Sequence, residues 1–434
     1  MDSLLRQWNE TYFAGQLSPE VLNIFDALAL STQSETVKGV LERWFKAIKL
    51  THFQATDFTG DLARGLYSVL NIFTKTWSGT PPPITFAGRH KKLDTYITCN
   101  RWWQFPRSGK LLDLGCGFPP LTTVETARQF PDWQIIGADP IIPYYIVYDE
   151  QDDYATFNQT SDLLYFQGHG QRFGIFTQDP AGTRAYCSQL FRALTAQHQE
   201  SGGNEVKPAE SKGMRLVTNP IGAYESPNLS FQTAGIGMVD TQGVDVVRCF
   251  NVLVYFDRPF RNEALAWFTE ILKDNGLLLC GVNSFFSRSS RYTVFQREQG
   301  RLVEKEFALG IDTLRVSSDV VPWWAFHNDD VERNRQAILV AQICADPAFR
   351  RDFDSRLDAL LAEHELFKRG TDGYLTSWGS EMPADKNERL AQINEQLDQE
   401  GYVEGAVHVL AQAGYDAWRN CVGHICVDPA QFEV

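Results

Sequence analysis

Residues 109–140, GKLLDLGCGFPPLTTVETARQFPDWQIIGADP, restrict the fold of this chain more than any other stretch. Lys110 to Leu114 is a short apolar run, the profile of a buried parallel strand. Gly115-Cys116-Gly117 follows at once, and two glycines allow a tight turn with room for a ligand against the backbone. Residues 121–130 have helical spacing, with Thr122 or Thr123 available near the start, and Pro131 stops the helix. Residues 133–137 read as a second apolar strand, with Asp139 just past its end. Strand, glycine turn, helix and strand make the first half of a nucleotide-binding βαβ unit.

A helix N-terminus aimed at the turn suits an anionic group. A carboxylate at the tip of the second strand suits ribose, because it accepts two hydrogen bonds from a vicinal diol. The spelling is not that of a dinucleotide site, which wants G-x-G-x-x-G. Pro120 falls where the third glycine would be, with Pro119 beside it, and two prolines remove amide donors that a pyrophosphate would use. A zwitterionic ligand without phosphate fits better.

The run Asp113 to Gly117, DLGCG, together with Asp139 resembles the cofactor motifs of class I S-adenosylmethionine (SAM) methyltransferases. The resemblance implies that the glycine turn passes under the methionine part of SAM and that Asp139 holds its ribose. It names Asp113, Gly115, Cys116, Gly117 and Asp139 as cofactor residues. Pro119 departs from the family, which often has a third glycine there.

A second informative stretch is residues 243–283. Residues 245–250 read as a buried strand, Asp257 and Pro259 open a helix, Asn275-Gly276 ends it, and residues 277–282 form the next strand. The wording RCFNVLVYFD, Arg248 to Asp257, resembles the chemotaxis-receptor glutamate methyltransferases. That likeness implies that Asn251 and Val252 line the SAM pocket. Asn251 and Tyr255 are the candidate catalytic side chains: a strand-end amide both donates and accepts, and a phenol can act as a base. A turn-forming asparagine and a packed core ring are the plainer alternatives.

The rest of the chain adds to this core. Residues 1–107 show repeated amphipathic helical spacing and are expected to form a helical domain packed on the core, with capping of the site as the sharper reading. The methyltransferase core is expected over 108–309, with an insertion at about 141–213 whose Tyr144 and Tyr148, set among acidic residues, could recognise a cation or amine. Residues 291–309 read as a β-hairpin about Gln299-Gly300, placed at the sheet edge. Residues 310–434 read as a mainly helical extension, with Trp323, Trp324 and His327 as candidate pocket walls. Cys421, His424 and Cys426 lack a further ligand pair at zinc spacing, so no metal is assigned. The fold expected is α/β, a doubly wound, Rossmann-like, seven-stranded methyltransferase sheet with helical N- and C-terminal additions.

With 434 residues, 43% of them hydrophobic, the chain can build a large core. A net charge of −14 weighs against nucleic acid and anionic membrane surfaces. Eight cysteines, mostly single and in apolar runs, read as the usage of a reducing, cytoplasmic protein rather than of a disulfide scaffold. The start, MDSLLRQWNE, has no signal-peptide pattern, and no run of about 18 apolar residues predicts a membrane span. The expected activity is SAM-dependent methyl transfer to an O, N or S of a small organic acceptor by in-line displacement. Protein carboxyl methylation and a catalytically silent SAM-fold module are the alternatives, and a homo-oligomer is left open.

Overall fold

The computed structural model describes residues 1–50, 53–75, 85–167, 180–200, 209–211, 213–315, 331–379 and 382–432. The chain divides into two compact units that are not consecutive in sequence. The smaller comprises Ser68–Phe86 and Lys110–Asp240, and the larger Met1–Tyr67, Ala87–Gly109 and Thr241–Val434.

The smaller unit holds the glycine turn. Strands β1 (Lys110–Leu114) and β2 (Gln134–Ala138) run parallel, from Lys110 opposite Gln134 to Leu114 opposite Ala138. The helix Leu121–Gln129 connects them. Both strands are buried from their second residue on, as in a parallel sheet covered on both faces. The insertion is a second sheet rather than loops: β3 (Tyr145–Tyr148), β4 (Tyr154–Phe157), β5 (Leu163–Gln167), β6 (Ala209–Ser211) and β7 (Met214–Thr218). They lie in the order β5-β4-β3-β7-β6, and every neighbouring pair is antiparallel. The helix Pro180–Glu200 covers one face, where Val147, Ala155, Phe157, Cys187, Phe191, Leu194 and Leu216 form a core. Period-2 alternation puts those strand residues inward, Tyr145 with them against Phe191, and Tyr148, Tyr154 and Tyr165 on the other face. The chain then returns to the first sheet with β8 (Leu229–Gln232), parallel to β2.

The larger unit carries the second βαβ crossing. Strand β9 (Val244–Phe250), the helix Arg258–Ile271 and strand β10 (Leu272–Val282) follow in turn, and β9 and β10 are parallel. The Asp257 carboxylate accepts from the Phe260 N–H at 3.1 Å and caps the helix, with Pro259 in its first turn. The helix ends at Ile271 rather than at Asn275. Leu272 already pairs with Val244, and the ladder resumes at Leu277, so residues 273–276 form an irregularity in which Asn275 is left-handed (φ 65°).

The hairpin is as expected: β11 (Arg291–Glu298) and β12 (Arg301–Leu309) pair across Gln299 and Gly300, both with positive φ. It does not leave a free edge along its whole length. The C-terminal segment, expected to be mainly helical, also holds strands: β13 (Phe367–Arg369) pairs with β14 (Leu375–Ser377), and β15 (Ala417–Arg419) with β16 (Ile425–Val427). Strand β16 pairs with residues 307–309 of β12. Three-residue strands carry too little periodicity to be read against the long helices beside them. Within the mainly helical extension, two helices, Lys386–Gln399 and Tyr402–Gln412, are separated where Gly401 takes φ 88°.

The N-terminal helices and the C-terminal segment share this unit. Trp44, Phe45 and Phe58 are buried among Phe13 and Phe25, in edge-on ring contacts. Buried Arg315 meets Asp57 at 3.3 Å, Arg369 meets Asp57 at 2.8 Å, and Lys386 meets Asp61 at 2.7 Å. Cys99 and Cys421 form a disulfide across 322 positions of sequence, contrary to the reading of unpaired cysteines. Only the fold brings two such distant thiols together, so their spacing carries no signal. No described helix is long and apolar enough to cross a membrane.

Candidate cofactor and acceptor sites

The glycine turn is fixed by hydrogen bonds that a sequence does not display. Gly115 and Gly117 are left-handed, with φ 74° and 65°. The N–H groups of Gly115 and Cys116 both donate to the Ala138 carbonyl, at 2.8 and 3.3 Å. Asp139 closes the turn: one carboxylate oxygen accepts from the Gly117 N–H at 3.1 Å and the other from the Ile141 N–H at 3.0 Å. The turn is thus stapled to the end of β2 by main-chain and carboxylate bonds. Cys116 is buried and lends mainly its backbone.

Asp113 is buried, and its carboxylate accepts from the Thr123 hydroxyl at 2.6 Å. Thr123 therefore ties the helix to β1 and does not cap it, and Thr122 is buried with its hydroxyl unpartnered among the described residues. The cap comes from Thr85. Its hydroxyl accepts from the Leu121 N–H at 3.1 Å and donates to the Pro119 carbonyl at 2.5 Å. No signal near the helix could have found Thr85, which lies 36 residues upstream.

Asp139 is 6% exposed, and burial pushes its carboxyl up to about 6 although the Ile141 and Gly117 N–H groups stabilise the charge. A carboxylate so placed has lone pairs left and gains from further neutral donors. The two hydroxyls of a ribose fit that need, and the left-handed glycines leave a side-chain-free surface beside it.

Tyr144 and Tyr148 are half-buried. Tyr144 stands edge-on to Tyr145 at 4.7 Å, and Tyr148 lies 5.6 Å from Tyr154. The Arg215 guanidinium covers the Tyr148 ring at 3.8 Å, so that cation–π position is already taken within the protein. Trp323, Trp324 and His327 lie outside the described residues.

The larger unit holds the other candidates, at the carboxyl ends of β9 and β10. Asn251 is left-handed (φ 58°), a costly conformation for a side chain other than glycine. Its amide clasps the backbone of Asn283, accepting from the N–H at 3.1 Å and donating to the carbonyl at 3.0 Å. Asn251 thus joins the two strand ends through its side chain rather than closing the local turn weighed for it. Val252 is half-buried, and its carbonyl accepts from the Tyr255 N–H at 3.1 Å. Tyr255 is half-buried, its phenol pushed up by burial and drawn back by the Arg89 charge. Arg89 is lowered to about 10 by burial, with Tyr255 opposing, and stays protonated at neutral pH.

Arg89 is the residue that the sequence reading missed. Its carbonyl accepts from the Asn283 amide at 2.9 Å and from the Ser287 hydroxyl at 2.7 Å. The helix Lys91–Cys99 follows it directly and is anchored by Asp94, which forms an ion pair with fully buried Arg248 of β9. Neighbouring His90 packs on Phe250 at 5.6 Å and is held neutral by burial and by the charges of Arg248 and Arg89.

The CVGHIC run serves the interior of this unit. Cys421 is in the disulfide, His424 Nδ1 lies 3.0 Å from the Tyr292 hydroxyl, and Cys426 Sγ lies 3.2 Å from Glu306 Oε1. Buried Glu306 also accepts from Tyr96, Trp102 and Asn420. Among the described residues no group of three or more His, Cys, Asp or Glu could hold a metal ion.

Residues 236–301 match the family model described as CheR methyltransferase, SAM binding domain. No curated protein matches the chain. Among solved structures, the chain is similar to PKMT2 from Rickettsia typhi, at 14% identity and a TM-score of 0.22, covering 46% of this chain and 26% of that one. It thus spans about a quarter of that protein's length. It is also similar to a coclaurine N-methyltransferase bound to N-methylheliamine and SAH, at 10% identity, a TM-score of 0.24 and 98% coverage of each chain. The cyclopropane synthase MmaA2 from Mycobacterium tuberculosis is a third, at 13% identity, a TM-score of 0.23, and 79% and 87% coverage. At such scores no residue here takes a role by superposition.

The parallel strands and the glycine turn make a Rossmann-like α/β fold, and residues 236–301 within it match a SAM-binding methyltransferase domain. The matched segment holds β9, β10 and Asn251 to Tyr255.

Proposed function

We propose that this enzyme transfers the methyl group of SAM to a carboxylate oxygen. The feature that supports the reading is the Arg89 charge, whose field reaches the Tyr255 phenol just beyond the end of β9, with Tyr255 inside the segment that matches the CheR model. A protonated guanidinium presents parallel N–H donors that match a carboxylate, and a phenol held neutral adds one more. The bound cofactor supplies an electrophilic sulfonium methyl. This chain's residues do the rest. Asp113, Gly115, Cys116 and Gly117 shape the turn, Asp139 takes the ribose, and Asn251 and Val252 set the strand end that carries Tyr255.

An ionised carboxylate needs no general base, so catalysis reduces to holding the acceptor oxygen in line at near-attack distance. Tyr255 then donates rather than removes a proton. This assignment accounts for the want of a base among the candidate residues.

The CheR-type match favours a glutamyl side chain of a protein as the source of the carboxylate. A free organic acid offers the same chemistry. Incubation with methyl-labelled SAM separates them: base-labile label on protein identifies the first, and base-labile label in the small-molecule fraction the second. Label that survives base in both fractions would rule out a carboxylate acceptor.

A further inference from the structure

Cys99 and Cys421, the two cysteines that pair, are both exposed, while the other six are unpaired and buried or half-buried. Their bond joins the last residue of the helix Lys91–Cys99 to the turn of the β15–β16 hairpin. A second, buried link joins the same two segments. The Glu306 carboxylate accepts from the Tyr96 hydroxyl of the helix at 3.1 Å and from the Asn420 amide of the turn at 2.9 Å. Asp94, paired with fully buried Arg248, holds the helix to β9 independently of both. Opening the disulfide therefore leaves the helix attached but frees its end. The start of the helix is continuous with Arg89. The His90 carbonyl accepts from the Asp94 N–H at 2.8 Å, and the Ser287 hydroxyl accepts from the Lys92 N–H at 3.3 Å while donating to the Arg89 carbonyl at 2.7 Å. An exposed cystine is open to thiolate attack and belongs to the labile kind, whereas thiols sealed in a core are inert.

We propose that the Cys99–Cys421 disulfide is a redox switch that sets the mobility of the helix Lys91–Cys99 and, through it, of Arg89. A dithiol reductant supplies two electrons and two protons. One of its thiolates attacks a cystine sulfur and the S–S bond breaks. Its second thiol then resolves the mixed disulfide, leaving Cys99 and Cys421 as thiols and the reductant as its own disulfide. Exchange with an oxidised dithiol reverses the step. Oxidised, the helix is held at both ends; reduced, it is held by the Asp94 and Glu306 links. The effect on methyl transfer rests on the reading of Arg89 as an acceptor residue, but the switch itself does not.

The test is amide hydrogen exchange, followed by mass spectrometry, on the full chain with and without dithiothreitol. The native protein should gain two alkylatable thiols while staying folded, and residues 89–99 and 417–427 should exchange about tenfold faster, the mark of local opening. Oxidised dithiothreitol should restore the slow exchange. Cys99→Ser and Cys421→Ser should each exchange like the reduced protein in either condition. A disulfide that resists dithiothreitol until the chain unfolds, unchanged exchange over 89–99 after reduction, or protection lost throughout the larger unit would each overturn the proposal, the last by making the bond a plain staple. Faster exchange with an unchanged rate of methyl transfer would uphold the switch and overturn the acceptor role of Arg89.

Discussion

The glycine turn and the Arg89–Tyr255 region are built on opposite principles. The turn is almost entirely local: Asp113 to Asp139 supplies both strands, the helix between them and the acid that staples the backbone. The other region joins Arg89, Asn251 and Asn283 through bonds that span 32 and 194 residues. A local site can be written as a motif because every part lies within one supersecondary unit. A distributed site leaves no spelling. The difference also separates functions: the local part recognises a fixed cofactor, while the distributed part is free to change with the acceptor.

The largest expected effect tests whether the distributed region depends on a buried anchor. Asp94→Ala removes the carboxylate facing fully buried Arg248, and should destabilise the larger unit by about 3–5 kcal/mol. Denaturant unfolding measures it, and a loss below about 1 kcal/mol would mean that the pair does not hold the helix to β9.

Arg89→Ala comes next. It should lower methyl transfer about a hundredfold, the cost of a misplaced acceptor, and leave SAM affinity unchanged. Equal loss of both would erase the division between cofactor and acceptor regions.

Asp139→Ala should do the reverse and weaken SAM binding by about 1–3 kcal/mol. The same residue predicts opposite pH trends. Its folded-state pKa of about 6 lies above the ordinary 3.8, so the free protein binds that proton more tightly than the unfolded chain does. The stability that this contributes is fully present below pH 3.8 and is lost as pH rises through about 6, roughly 3 kcal/mol in all. A ribose diol prefers the charged form, so SAM affinity should instead fall as pH drops below about 6. Parallel trends, or an unchanged profile in Asp139→Ala, would remove the acid from the ribose.

The sequence displayed what depends on near neighbours. The first βαβ unit, the hairpin at Gln299-Gly300 and the cap at Asp257 all stand where spacing and residue type put them. What was hidden needed the tertiary fold. Tyr144 and Tyr148 of the insertion read as residues for a cation or amine, yet Tyr148 is covered by Arg215 and strands β3 to β7 form a sheet. Those strands are three to five residues long and interrupted by acidic turns, which weakens their period. Asn251 read as a ligand-facing amide, but the backbone of Asn283 takes both its oxygen and its nitrogen. The Cys99–Cys421 bond and the role of Arg89 were equally unreadable, because each is defined by a partner far along the chain.

The smallest expected effect probes how local the glycine turn really is. A distant support of it is Thr85, whose hydroxyl bridges the Pro119 carbonyl and the Leu121 N–H. Thr85→Val keeps the shape and removes both bonds. Losing a cap of this kind costs about 1 kcal/mol of stability, since the N–H at the helix start is left without an acceptor. The turn also loses its tie through Pro119, so SAM affinity should fall, by less than in Asp139→Ala, because the Ala138 and Asp139 bonds to Gly115, Cys116 and Gly117 persist. Thermal unfolding and calorimetric SAM binding measure the two effects together. Stability lost with affinity intact would show that Thr85 serves the helix alone and that the turn is local after all. An affinity loss as large as that of Asp139→Ala would show the opposite: that the cofactor motif, for all its compact spelling, depends on a residue outside it.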